Sequence, residues 1–351
     1  MIPGIINLKR LLPKKSKMLI LPLYSVKWKF QKIKCHFPKE KIGFGGMVLR
    51  TVTKGILFTI ISALIYGFTP ILARIAYDGG SNGVTMTFLR AVLSLPVMAV
   101  IMKAMHIPFA LEKKQIRDLL LAVGIGSTST TILLYVSYSY IPVGMATTLH
   151  FIYPVLVSLG CVLFFCERLH ISTIIALISS TLGVFLTAGK LQQGASTTGI
   201  VLSVLSGFTF AYYIICLDKS ELRKMHYFKL SFYTCLTVGI VSGLYGTATG
   251  TLTFALTAKA WLYSGIVSLF VSVGAVTLLQ LGIKYTGAAT ASILSTFEPI
   301  TSVVLGVLIL GETLPLPKAL GILCIIASVL VITVTTARAP SPQLKDKRLT
   351  A

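Results

Sequence analysis

The chain has 351 residues, 55% of them hydrophobic and only 12% charged, and it carries a net charge of +22. An average soluble domain has roughly 25% charged residues, so this composition excludes an ordinary soluble protein, and the long apolar runs, which do not alternate, exclude a membrane β-barrel. The basic residues sit between those runs, so their excess reads as membrane topology and not as a nucleic-acid surface.

In chain order, residues 1–46 come first; they are basic, interrupted by Pro3, Pro13, Pro22 and Pro38, and without helical periodicity. This extension is expected to be disordered. Its "MLILPL" (18–23) is too short to span a bilayer, and no small-residue cleavage pattern follows it, which argues against a signal peptide. Two readings stay open: a polybasic arm on an anionic leaflet, or translation that starts at Met47. Ten apolar spans follow, at about 54–77, 82–103, 118–139, 142–165, 169–188, 198–217, 228–249, 260–283, 287–310 and 314–336. Each is close to the roughly 20 residues that a hydrocarbon core of about 30 Å requires. Separators such as "DGGSN" (78–82) and "KLQQGASTTG" (190–199) carry turn signals. Very few residues join spans 3 and 4 or spans 8 and 9, so those helices are expected to be antiparallel neighbours. A basic tail, 337–351, closes the chain. The six cysteines form no CxxC pair and five fall in or beside spans, where they read as small packing residues.

With the N-terminus placed inside, Lys and Arg number 27 on that side and 3 on the other; without residues 1–54 the balance is still 14 against 3. Both termini are therefore expected in the cytoplasm, with the chain in the cell membrane.

The sequence repeats itself. "YPVLVSLGCVLFFCE" (153–167) and "EPITSVVLGVLILGE" (298–312) both place a proline thirteen residues before a glutamate, Pro154 to Glu167 and Pro299 to Glu312, at an offset of 145. At the same offset Ser127 meets Ser272, Tyr140 meets Tyr285 and Ala146 meets Ala291; at 144, "GILFTIISA" (55–63) meets "GIVLSVLSG" (199–207). The near-constant offset divides the chain into two five-span repeats, 54–188 and 198–336. An odd number of spans turns the second repeat over, an arrangement that transporters use to build a site between halves. The fold class expected is all-α integral membrane, ten transmembrane helices as two inverted five-helix repeats.

The Leu89-Arg90 pair in span 2, the Tyr140/Ala146 and Tyr285/Ala291 approaches to spans 4 and 9, and above all "FEPITSVVLGVLILGE" (297–312) resemble the EamA-type transporters of the drug/metabolite transporter superfamily. The resemblance covers about residues 54–336. It implies a ten-helix exporter or exchanger of small metabolites such as amino acids, sugars or their derivatives. The first half departs at Tyr153, which stands where the second half has Glu298, and the N-terminal extension has no counterpart.

Residue chemistry selects the candidates. Glu298 lies about eleven residues into span 9, roughly 16 Å deep, where a carboxyl group must be paired, hydrated or protonated and is functional by default. It could carry a proton or hold a cationic group; its candidate partners are Arg74 and Arg90, the basic residues within spans, and the alternative is an ion pair that locks two helices. Arg90 is mid-span and could meet an anionic substrate group, whereas Arg74, near a span end, is expected to snorkel. Spacing of three and four places Ala291, Ser295, Glu298 and Ser302 on one face of span 9, and Ala146, His150, Tyr153 and Val157 on the matching face of span 4. Pro154 and Pro299 remove backbone donors and predict kinks that free the carbonyls of His150 and Ser295. Glu167 and Glu312 end their helices and read as structural carboxylates at opposite membrane faces. A cavity lined by spans 1, 3, 4, 6, 8 and 9 is expected, with "GIGSTSTT" (124–131), Tyr66, Thr69 and Gln280 in it; Tyr212 and Tyr213 read as interfacial-belt aromatics.

The function expected is a secondary transporter, exporter or exchanger, that moves a small organic metabolite such as an amino acid by alternating access. No metal site and no cofactor are expected. The partners are the solute, a proton or other coupling ion, the lipid bilayer and, as an open alternative, a second copy in a homodimer. The rival readings are a membrane-embedded enzyme, for which no HExxH, intramembrane Asp pair or P-loop is present, and a non-transporting scaffold.

Overall fold

The computed structural model describes residues 46–167, 169–188, 196–310 and 314–338, and every regular element among them is helical. Ten helices run in order: α1 (Gly46–Asp78), α2 (Gly83–Ala104), α3 (Lys113–Ser137), α4 (Val143–His150 and Tyr153–Phe165), α5 (Ile171–Ala188), α6 (Thr197–Lys219), α7 (Tyr227–Ala248), α8 (Ala258–Thr286), α9 (Ala288–Leu294, Ser295–Phe297 and Glu298–Leu310) and α10 (Leu316–Arg338). Among the described residues nine are long and apolar enough to cross a membrane, and α5 is a shorter apolar helix. Helices are the element that lipid permits, because each closes its own backbone hydrogen bonds. The extension 1–45, the tail 339–351 and Glu312 lie outside the described residues.

The helices overrun their apolar spans in places. α3 starts at Lys113, five residues before the apolar run, and takes Lys114, Arg117 and Asp118 into its first turns. Hydropathy marks the thickness of the hydrocarbon, whereas a helix continues into the interface for as long as its side chains permit.

α5 and α10 form a tight pair. Gly183 and Gly321 face each other so closely that a Cβ on either would come within 2.7 Å of the other's carbonyl oxygen. Ser179 Oγ donates to the Cys324 carbonyl (2.9 Å), and Ser328 Oγ to that of Ala176 (2.6 Å). Small residues and interhelical hydrogen bonds drive helix association where lipid removes the hydrophobic contrast.

The other eight helices enclose the centre of the protein. α1 is clamped on both sides by small residues: Ser62 Oγ donates to the Ala275 carbonyl of α8 (2.7 Å), and Ser302 Oγ of α9 donates to the Gly67 carbonyl (3.0 Å). α3 and α8, which occupy matching places in the two repeats, share an uncommon backbone: over Leu120–Thr128 and Ser268–Ala275 the turns widen to i→i+5 π-helix. Such stretches are rare, and they concentrate at functional sites.

The two ends of the bundle differ in chemistry. At one, Asp118 is paired with Arg117 (2.7 Å) and accepts the Glu221 N–H (3.2 Å), Asp218 is paired with Lys219 (2.7 Å) and Arg223 (3.3 Å), and Lys219 also reaches Glu167. At the other, neutral groups do the joining. Asn82 Oδ1 caps α2 by accepting from Val84 and Thr85 N–H, its Nδ2 donates to the Thr251 carbonyl (2.7 Å), and Thr257 N–H donates to the Gly79 carbonyl (3.0 Å).

Candidate functional site

A central cavity lies among α1, α2, α3, α4, α6, α7, α8 and α9. Arg90, His150, Tyr153, Ser295 and Glu298 all line it. Residues from α5 and α10 do not, which leaves that pair as scaffold among the described residues.

Arg90 is held in place by hydroxyls. Its Nη2 donates to Thr131 Oγ1 (2.9 Å) and its Nη1 to Ser272 Oγ (3.4 Å), while Ser268 Oγ donates to its backbone carbonyl (2.9 Å). Ser268 and Ser272 belong to the π-helical stretch of α8, and Thr131 follows the one in α3. Of the two hydroxyls on the guanidinium, Ser272 thus comes from a widened turn and Thr131 from the α-helical turn that follows one. Among the described residues its Nε has no hydrogen-bond partner and no carboxylate forms an ion pair with it. Arg74, by contrast, is exposed on α1.

Glu298 begins the last segment of α9, facing the same cavity. Among the described residues it makes no ion pair and no side-chain hydrogen bond, so the Arg90–Glu298 lock between helices is not formed. An uncompensated charge at membrane depth costs about 3 kcal/mol on insertion scales. Arg90 brings such a charge to the cavity and Glu298 faces it with a carboxyl group, with Tyr66 and Tyr135 also in the lining.

α4 and α9 break at matching places. α4 interrupts at Phe151 and Ile152, and Pro154 takes the first turn of the segment that follows, where a missing N–H leaves no gap. α9 tightens to a 3₁₀ turn over Ser295–Phe297, after which Glu298 and Pro299 start the next segment. That turn returns the Glu298 N–H to the Ser295 carbonyl. The His150 carbonyl packs on Gly207, where a Cβ would lie 2.8 Å from it. The Ser295 carbonyl is therefore engaged by the backbone, while the His150 carbonyl lies against α6 at Gly207. Pro70, in the body of α1, removes the donor that would close on the Tyr66 carbonyl, and both residues line the cavity.

His150 is buried beside Tyr153 and Phe210, with ring centroids 5.2 and 5.3 Å away. Ser206 Oγ lies 2.9 Å from His150 Nδ1 and 2.6 Å from the Ser203 carbonyl, so it joins the imidazole to the backbone of α6. Tyr153 is buried, with its ring edge-on to Phe210 (centroids 4.8 Å). Glu167 lies away from the cavity: α4 ends with Cys166 in the left-handed region (φ 53°), the Glu167 N–H returns to the Cys161 carbonyl (3.1 Å), and the carboxylate ties α4 to Lys219 of α6.

Sequence reasoning placed no cavity residues on α7, yet Thr234, Cys235 and Val238 line it. Small residues on an apolar helix give no signal of their own. Tyr213 also differs from the belt reading. It is buried against the cavity, with its hydroxyl accepting from Gln280 Nε2 (3.3 Å).

Comparison with known proteins places this architecture. Over 308 residues the chain is 26% identical to an uncharacterized transporter of Synechocystis sp., spanning 79% of this chain and 92% of that protein. It is 27% identical over 276 residues to an uncharacterized transporter of Archaeoglobus fulgidus (78% and 93%) and 24% identical over 298 residues to the uncharacterized inner membrane transporter YicL of Salmonella typhimurium (81% and 97%). A solved crystal structure, matched over 82% of this chain and 98% of its own at 14% identity, superposes with a TM-score of 0.70 and shares the fold. The EamA-like transporter family matches twice, at residues 53–189 and 197–334. This multi-pass membrane protein, with two copies of that unit, belongs to the EamA-like transporter family.

Proposed function

We propose that the protein is a secondary transporter that moves a small zwitterionic solute, of the amino-acid kind, across the cell membrane by alternating access. One observation carries the reading: Arg90 and Glu298 face the same cavity and do not pair with each other. A buried ion pair that only joined helices would close that gap, because each charge left alone is costly. A solute with a carboxylate and an ammonium group completes both. Arg90 offers a planar fork suited to a carboxylate, and Glu298 accepts the ammonium, or a proton when the site is empty. Thr131, Ser272 and the tyrosines Tyr66 and Tyr135 supply neutral groups between the two charges.

The inverted repeat supports alternating access, since each half can take the other's conformation. The basic loops support cytoplasmic termini: Arg117, Lys219, Arg223 and Lys284 lie at the same end of the bundle, away from the Asn82–Thr251 contact. The test is reconstitution in proteoliposomes with a panel of amino acids, their decarboxylated amines and their deaminated acids. Flux or counterflow is expected for zwitterions and not for either single-charge analogue, and it is expected to be lost in Glu298→Gln and Arg90→Gln proteins that still elute as folded monodisperse species. Undiminished flux with unchanged pH dependence in Glu298→Gln would overturn the reading.

A further inference from the structure

The cavity is symmetric at its centre and asymmetric at its ends. Under the repeat offsets, Tyr66 corresponds to Phe210, Thr69 to Tyr213, Ser127 to Ser272, Leu134 to Leu279, His150 to Ser295 and Tyr153 to Glu298. Both members of each of these pairs line the cavity. Beyond that centre the halves part. Pro70, Tyr135 and Tyr138 extend the cavity toward the neutral end of the bundle. Their counterparts are Ile214, Gln280 and Ile283; these are 0%, 5% and 1% exposed and lie outside it.

Toward the charged end of the bundle is a second, much smaller crevice, bordered by Leu217, Leu230, Arg223, Lys284 and Gln280 itself. Gln280 therefore stands between two cavities, and its amide is fully engaged. Nε2 donates to Tyr213 (3.3 Å) and to Thr234 Oγ1 (3.4 Å), both on the central cavity, while Oε1 accepts from Ser231 Oγ (2.8 Å). These bonds join α6, α7 and α8 across the route from one space to the other.

From this geometry we infer that Gln280 latches an inner passage, which runs from the central cavity between α6, α7 and α8 to the Arg223–Lys284 space and is closed in this conformation. The inference rests on the alternating-access reading above, because it takes the outer extension at Pro70, Tyr135 and Tyr138 as the template for the opposite state. In that state Ile214, Gln280 and Ile283 become the lining and Pro70, Tyr135 and Tyr138 become the seal. The amide suits a latch. It makes three neutral hydrogen bonds that exchange for water when the passage hydrates, whereas a buried charge there would oppose closing.

The test reads accessibility and needs no knowledge of the solute. In full-length protein whose native cysteines are replaced by serine or alanine, one reporter is placed at the inner space, Leu217→Cys, and one at the outer extension, Tyr138→Cys. Each is labelled with a membrane-impermeant maleimide with and without Gln280→Ala. Labelling of the inner reporter is expected to rise about fivefold and that of the outer reporter to fall, the redistribution that loss of about one net buried hydrogen bond produces between two states. Tyr213→Phe, which removes only one acceptor, is expected to shift both rates in the same directions by less and guards against a Gln280→Ala protein that does not fold. Unchanged rates, or rates that rise together, would overturn the latch. If the reporters respond but no amino acid is carried, the passage stands and the zwitterion reading falls; if amino acids are carried and the reporters do not respond, the latch falls alone.

Discussion

The two halves of this protein use the same helices for different electrostatics. At matched places the first half has Arg90 on α2 and Tyr153 on α4, where the second has Thr234 on α7 and Glu298 on α9. A symmetric pair of charges would put like signs around the cavity and repel. One guanidinium from the first half and one carboxyl group from the second instead give the cavity two different polar groups while the backbone, with its matching breaks and π-helical stretches, stays near-symmetric. Under the proposed function, symmetry is kept where two states interconvert and given up where the solute is recognised.

Several experiments break or sharpen that contrast. The largest effect is expected from removing either charge. Glu298→Gln or Arg90→Gln should lower solute affinity by about a hundredfold, since a charge-assisted hydrogen bond and an unpaired partner together are worth about 3 kcal/mol; isothermal titration in detergent measures it. A loss confined to one of the two variants would show that the halves do not share the solute.

Where the halves agree, substitution should disturb stability and not recognition. Gly321→Leu drives a side chain into the α5 backbone at Gly183, and overpacking of this kind costs about 1–3 kcal/mol. A lower melting temperature is expected, with unchanged solute affinity in the protein that remains folded.

A smaller effect separates the two hydroxyls on Arg90. Thr131→Val should weaken solute binding about tenfold, because a hydrogen bond to a charged group is worth about 1.5 kcal/mol. Ser272→Ala should weaken it less, since its contact is 3.4 Å and not 2.9 Å. Equal losses would mean that Arg90 is seated by both halves alike.

The smallest effect lies at the charged end. Burial, with the Lys284 ammonium adding to it, holds the His226 imidazole below its ordinary value of 6.5. The unfolded chain then binds the proton more readily than the folded one, so stability is full above about pH 6.5 and falls as pH drops through that value. A thermal-shift series from pH 8 to pH 5 should show the decline, and His226→Gln should flatten it by a degree or so. No change in slope would remove His226 from the account.

Much of the fold was legible because lipid allows little else. Residues that cannot leave their backbone unsatisfied must be helical, so ten apolar runs read directly as spans, and what fell outside the pattern were helix ends such as α3's charged first turns and the start of α1 at Gly46. Glu298 and Arg90 were legible for the same reason, because a charge is conspicuous in an apolar run. Their failure to pair was not, since it depends on which faces of α2 and α9 turn inward and on Thr131 and Ser272 already holding the guanidinium. Tyr213 was misread as an interfacial aromatic because its place near the end of α6 says nothing about the Gln280 amide on α8. Thr234 and Cys235 gave no signal, as small residues pack anywhere. The Ser295 carbonyl, which proline alone would free, is taken up by a 3₁₀ turn that no local pattern announced.

By itself the sequence determined the solvent, the helices, the duplication and the two charges, because each follows from the local cost of placing a group in hydrocarbon. Tertiary structure decided that those charges share a cavity without touching, that hydroxyls on and just after π-helical turns seat the arginine, and that one glutamine divides two spaces. Those outcomes depend on contacts between residues up to 182 positions apart, as from Arg90 to Ser272, and on helix rotations that no local periodicity encodes.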